Sequence, residues 1–158
     1  MNKTDCYFET LAILLLLAIW MLPVFYLSHL PDTIPIHFGI NGKPDAWGTK
    51  ISIFMVPVIS LVLFIGLSIL NKFPEKFNYP VKITEENATQ LYKRGTLFVR
   101  ITKVVVVLIF LFIEYQICVS GDTGRLPRSF LYWAFIIPII LPLLALIMFK
   151  KKSTSNKI

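Results

Sequence analysis

Four apolar blocks set the pattern of this chain. Residues 10–28, 51–70 and 130–149 carry no charged side chain. Each approaches the roughly 20 residues that cross a hydrocarbon core about 30 Å thick. A further block, 101–119, is centred on VVVVLIFLFI and bracketed by Lys103 and Glu114. It spans if Lys103 extends its stem to an interface and Glu114 is tolerated inside. The pattern predicts an all-α membrane protein, a single polytopic domain over residues 1–158 with four transmembrane helices. Pro23, Pro57, Pro138 and Pro142 fall inside these spans, where proline either shapes helix packing or breaks a helix around a site.

The polar connections are short and strongly punctuated. In LPDTIPIHFGINGKPDAWGTK, residues 30–50, Ile34, Ile36 and Phe38 alternate with Pro35 and His37. Alternation predicts an extended piece with its apolar side on the bundle or membrane and His37 on the other side. Asn41-Gly42 reads as a turn and Pro44-Asp45 restarts the chain, which returns Asp45 and Trp47 toward Asp32 and His37. Pro74 and Pro80 suit an extended segment between the second and third spans. Thr84-Glu85-Glu86 then starts a helix, with a hydroxyl N-cap and two acids in the first turn. That helix runs into the third span as an extension, with Gly95 as its weak point. Gly121, Gly124 and Pro127 mark a turn before the fourth span.

Charge orients this frame. Of 16 Lys and Arg, twelve fall on the side shared by the N-terminus, the middle connection and the C-terminus, and four on the other. Both termini are therefore expected in the cytoplasm, with the 30–50 loop outside. Hydrophobic residues make up 56% of 158 positions and mean hydropathy is +0.70, beyond an ordinary soluble domain. The formal charge of +7 then reads as topology and contact with anionic lipid. No nucleic-acid-binding pattern interrupts the apolar blocks, so no nucleic acid is expected as partner. Cys6 and Cys118 fall on opposite sides of the bilayer in this frame, and no disulfide is expected between them.

Chemistry concentrates in three places. Asp32, His37 and Asp45 are groups that bind a divalent cation or act as acid and base. Their spacings of five and eight residues match no standard ligand motif, so His37 and Asp45 stand only as metal candidates, and no cofactor is expected. Asp32 capping a turn, and Asp45 pairing with Lys43 or Lys50, are the structural alternatives. Glu114 is the one acid in an expected span. Ionisable groups there are costly, which makes it a candidate proton or cation site, a partner for His29 or His37, or a structural hydrogen-bonding acid. Lys93, Arg100 and Lys103 fall within about 80° of one another on a helix, a stripe suited to anionic head groups or a plain topology signal.

The 30–50 loop resembles the signature of a bacterial membrane domain of unknown function, also found in the N-terminal part of SdpI-type bacteriocin-immunity proteins. Leu30, Pro31, Ile34, Pro35, His37, Phe38, Gly42, Asp45, Trp47, Gly48 and Lys50 fit that pattern. The resemblance implies a small polytopic protein of the bacterial inner membrane with no established enzymatic activity, and by analogy an outer loop that recognises a toxic peptide or another membrane protein. The binding residues it singles out are Asp32, Pro35, His37, Phe38, Gly42, Asp45, Trp47 and Lys50. The chain lacks the additional helices of the longer immunity proteins. A metal-dependent membrane enzyme and an accessory transport subunit stand as the other two classes.

Overall fold

A computed structural model describes residues 3–39, 41–120, 140, 141, 143–145 and 147–149. Among these residues the order is α1 (Lys3–Tyr26), a two-stranded hairpin of β1 (Thr33–Phe38) and β2 (Pro44–Thr49), and a 3-10 turn (Lys50–Phe54). Next come α2 (Met55–Leu70), a short 3-10 turn (Pro74–Lys76) and α3 (Glu85–Ser120). Three helical stretches are long and apolar enough to cross a membrane: Lys3–Tyr26, Lys50–Leu70 and Glu85–Val119. Their outward faces carry exposed Leu14, Leu17, Val24, Val62, Ile65 and Leu108, a surface that suits lipid and not water. The fourth span expected at 130–149, with Pro138 and Pro142, lies largely outside the described residues. Within it, residues 140, 141, 143–145 and 147–149 are helical.

α3 is the spine. α1 runs parallel to it and α2 antiparallel, because Glu9 and Ser68 both meet Lys103 while Leu22, Tyr26 and Ile53 pack around Cys118. The packing seams follow helical spacing. Asp5, Glu9, Ala12, Leu16, Ile19 and Pro23 share one face of α1, and Lys103, Val107, Glu114 and Cys118 share one face of α3. Val107, with no exposed surface, packs with Leu16 and Ile19 at mid-span, flanked by Leu61, Phe64 and Phe110.

Pro23 and Pro57 do not break their helices. α1 continues through Pro23 to Tyr26, and Pro57 sits in the first turn of α2, where a missing N–H costs no helical bond. The entry to α3 falls where the sequence placed it, but through a different bond. The Asn87 side-chain oxygen accepts from the Thr84 backbone N–H at 2.8 Å, and Asn87 Nδ2 donates to the Lys82 carbonyl at 3.0 Å. No Thr84 hydroxyl cap appears in this arrangement.

At 36 residues, α3 is about 54 Å long at 1.5 Å per residue, well beyond a hydrocarbon core. The surplus carries an aromatic cluster. Tyr79 stacks on Phe77 at 5.9 Å between ring centroids and meets Tyr92 at 6.0 Å and Phe149 at 5.7 Å. Its hydroxyl donates to the Pro74 carbonyl at 3.0 Å. Burial raises the Tyr79 pKa, and nearby Tyr92 and Glu75 push it the same way. Gly95, expected as a weak point, is instead the notch that admits this ring: a Cβ there would collide with the Tyr79 hydroxyl and touch Phe77 at 3.0 Å. Arg94 Nη1 donates to the Met148 carbonyl at 3.3 Å and ties α3 to the last described turn.

Candidate functional site

The 30–50 segment folds as an antiparallel ribbon. The Gly42 N–H donates to the Gly39 carbonyl at 2.9 Å, and the Gly39 N–H to the Lys43 carbonyl at 2.8 Å. Gly42 has φ 72°, the left-handed conformation a tight hairpin loop uses after its turn, and it is buried there. The open end closes on Asp32: its carbonyl accepts the Lys50 N–H at 2.9 Å, and Oδ1 takes Lys50 Nζ at 3.0 Å. Asp32 therefore pairs with Lys50, at the opposite end of the ribbon from His37.

Strict alternation fails in β1, and the reason lies in the register. Thr33 opposes Thr49, Ile34 opposes Gly48 and Pro35 opposes Trp47, but the next pair is His37 with Ala46. This irregularity leaves Ile36 exposed instead of on the apolar side, and buries the adjacent pair Ile34 and Pro35. It also turns His37 toward Asp45: His37 Nδ1 donates to Asp45 Oδ1 at 2.5 Å. Because a carboxylate only accepts, that bond fixes Nδ1 as the protonated nitrogen and leaves Nε2 with a free lone pair in neutral His37. His37 and Asp45 are 70% and 52% exposed, and Trp47, opposite Pro35 in the ribbon, is exposed as well.

The ribbon is seated firmly beneath that face. Leu30, Ile34, Ile53 and Cys118 form a buried cluster supported by Tyr26, Leu27 and Phe54. Gly48 is a close-approach site, where a Cβ would stand 2.9 Å from the Ile36 side chain and 3.1 Å from Ser52 Oγ. Phe38 is half-buried. Of the residues singled out in the sequence, the fold brings His37 and Asp45 together, places Trp47 opposite Pro35 and directs Asp32 and Lys50 to the other end. The trio Asp32, His37 and Asp45 is thus not assembled, and no cluster of three or more metal-ligating side chains occurs among the described residues.

At the other end of the bundle lies an ionic cluster that links all three helices. Lys103, 1% exposed, donates to Glu9 Oε2 at 2.5 Å and to Ser68 Oγ at 3.0 Å, and its ammonium lies 4.7 Å from the Phe64 ring centroid. Arg100 Nη1 donates to Asp5 Oδ1 at 3.0 Å, with Nε 3.6 Å from Glu9 Oε1. The basic stripe expected at a lipid surface is therefore divided. Lys93 is exposed, but Arg100 and Lys103 turn inward, because α1 places two carboxylates one helical turn apart against them. Sequence reading passed over Asp5, Glu9 and Ser68. The signal was present as an i, i+4 acid pair opposite an i, i+3 basic pair, each at the edge of a span. Cys6 is exposed near this end and Cys118 is buried under the hairpin, both as free thiols.

Glu114 joins neither group. It has no exposed surface, and among the described residues neither carboxyl oxygen has a hydrogen-bond partner, so His29 and His37 do not pair with it. His29 instead contacts the Phe25 carbonyl and the Ser28 hydroxyl.

Residues 14–61 match the family described as Domain of unknown function (DUF1648). The matched stretch holds the later part of α1, the whole hairpin and the start of α2. An uncharacterised protein of Archaeoglobus fulgidus is 29% identical over 139 residues, covering 79% of this chain and 75% of that protein. No solved structure matches the chain. The chain is thus similar to a membrane-type domain of unknown function whose matched region has the hairpin at its centre.

Proposed function

We propose that this protein is a four-span cytoplasmic-membrane protein with both termini inside, and that its hairpin recognises a peptide toxin or another envelope ligand at the outer face. The supporting observation is the contrast between the two sides of the ribbon. Leu30 and Ile34 fix it against the helices, while His37 and Asp45 are hydrogen-bonded to each other and left exposed, with Trp47 exposed on the same ribbon. An exposed aromatic ring on the same ribbon as an oriented imidazole and a carboxylate offers a peptide an apolar anchor, an acceptor and a charge, and such rings are enriched at recognition surfaces. The excess of basic residues on the opposite side supports the orientation, and the likeness of the loop to that of SdpI-type immunity proteins supports the class of ligand.

The test is protection. Expression of the chain in a toxin-sensitive host should raise survival, and His37→Ala, Asp45→Asn or Trp47→Ala should abolish that gain at equal membrane abundance. Absence of protection by the unmodified chain, or full protection by all three variants, sinks the proposal.

A further inference from the structure

The geometry points to a second site inside the membrane: Glu114 and Ser60, at the α2–α3 seam, bind a monovalent alkali cation. This site is separate from the hairpin face and does not depend on its function.

Two independent polar side chains lack partners there. Glu114 and Ser60 each have no exposed surface, and among the described residues neither carboxyl oxygen of Glu114 nor the Ser60 hydroxyl is hydrogen-bonded. Buried polar atoms without partners are rare, because each costs on the order of 1–3 kcal/mol, more when charged. Two at one seam call for a common explanation.

They lie on facing stripes. Ile53, Pro57, Ser60, Phe64 and Ser68 recur at helical spacing, and both ends of that stripe touch α3: Ile53 at Cys118, and Phe64 and Ser68 at Lys103. On α3 the matching stripe is Lys103, Val107, Glu114 and Cys118. With the ends fixed, Glu114 falls opposite the stretch from Pro57 to Ser60. A helical side chain leans toward the N-terminus of its helix, which in α3 carries the Glu114 carboxyl toward the level of Ser60. The parallel α1 brings Pro23 to this depth, also fully buried. Having no N–H, Pro23 leaves the Ile19 carbonyl without its helical donor.

The donor set decides the ligand. A carboxylate, a hydroxyl and a freed carbonyl are all oxygen, which suits a hard cation. One carboxylate balances one positive charge; a divalent ion would leave a net charge in the hydrocarbon, where charge is costly. Lys103, the nearest cation on the same stripe, is about 16 Å along the axis at 1.5 Å per residue and is held by Glu9. Cys118, one turn on, supplies no charge to compete.

The experiment is saturable binding of radiolabelled Na+ to the purified full chain in detergent micelles. Unlabelled Na+ or K+ should displace it and choline should not. Glu114→Gln should abolish binding while eluting as the parent does. Ser60→Ala, which keeps the carboxylate, should weaken binding about tenfold, the loss of one hydrogen-bonding ligand to a charged group. His37→Ala should leave it unchanged, so failure here is distinct from failure of hairpin recognition. No saturable binding by the parent chain, displacement by choline, or unaltered binding in Glu114→Gln or Ser60→Ala overturns the assignment.

Discussion

Lys103 of α3 and Glu9 of α1 meet at 2.5 Å in a setting where the lysine is 1% exposed. Ninety-four residues separate them in sequence, so the contact fixes how the parallel helices align. Ser68 of α2 shares the same ammonium, making this one side chain the junction of all three helices. Taking one partner away strands a charge in a desolvated place, which costs about 3–5 kcal/mol for buried pairs. Lys103→Met is therefore expected to lower the unfolding temperature sharply in detergent, as is Glu9→Leu. The double variant should recover much of the loss, because replacing both charges by apolar groups of similar volume is often neutral. Additive losses in that double-mutant cycle would show that the pair is not coupled.

The hairpin pair behaves oppositely. His37 and Asp45 are both more than half exposed, and exposed ion pairs contribute about 0–1 kcal/mol. Asp45→Asn should leave the melting temperature nearly unchanged while removing the group that orients the imidazole. Its readout is selective loss of the protective phenotype. A large fall in melting temperature would mean that the pair holds the hairpin together.

How much of this was legible in the sequence depends on the range of the interaction. The three long apolar helices, the hairpin turn at Asn41-Gly42 and the start of α3 are local consequences of hydropathy runs, glycine and capping chemistry, and they appear where the sequence puts them. Ile36 could not be placed, because a single register irregularity reverses the facing of a strand residue. The inward turn of Lys103 and Arg100 was hidden for another reason. A lysine at the edge of a span reads equally as reaching toward lipid or pairing inward, and the acids that decide the matter, Asp5 and Glu9, lie near the other end of the chain. Pairing of that range leaves no local pattern.

The proposed orientation has its own test in the two native thiols. Cys6 is exposed near the ionic end, whereas Cys118 is buried beneath the hairpin. With the N-terminus inside, a membrane-impermeant maleimide should leave Cys6 unmodified in intact cells and label it after permeabilisation. A cysteine introduced at exposed Lys43 should be labelled in intact cells. Labelling of Cys6 before permeabilisation would reverse the orientation, and with it the face on which the hairpin meets its ligand.

Gly95 offers the sharpest separation of local from tertiary effects. In an isolated helix, Gly→Ala is favourable by about 1 kcal/mol. Here the added methyl runs into the Tyr79 hydroxyl and Phe77, and Tyr79 has little room to retreat between Tyr92, Phe149 and its bond to the Pro74 carbonyl. Overpacking of this kind costs about 1–3 kcal/mol, so packing outweighs propensity and Gly95→Ala should lower the melting temperature. In a Tyr79→Ala background the collision is gone, and the same change should become neutral or stabilising. The sign reversal between the two backgrounds, measured by thermal unfolding in one detergent, is the expected signature. Destabilisation of equal size in both would mean that Gly95 serves the helix backbone itself and not the aromatic ring packed against it.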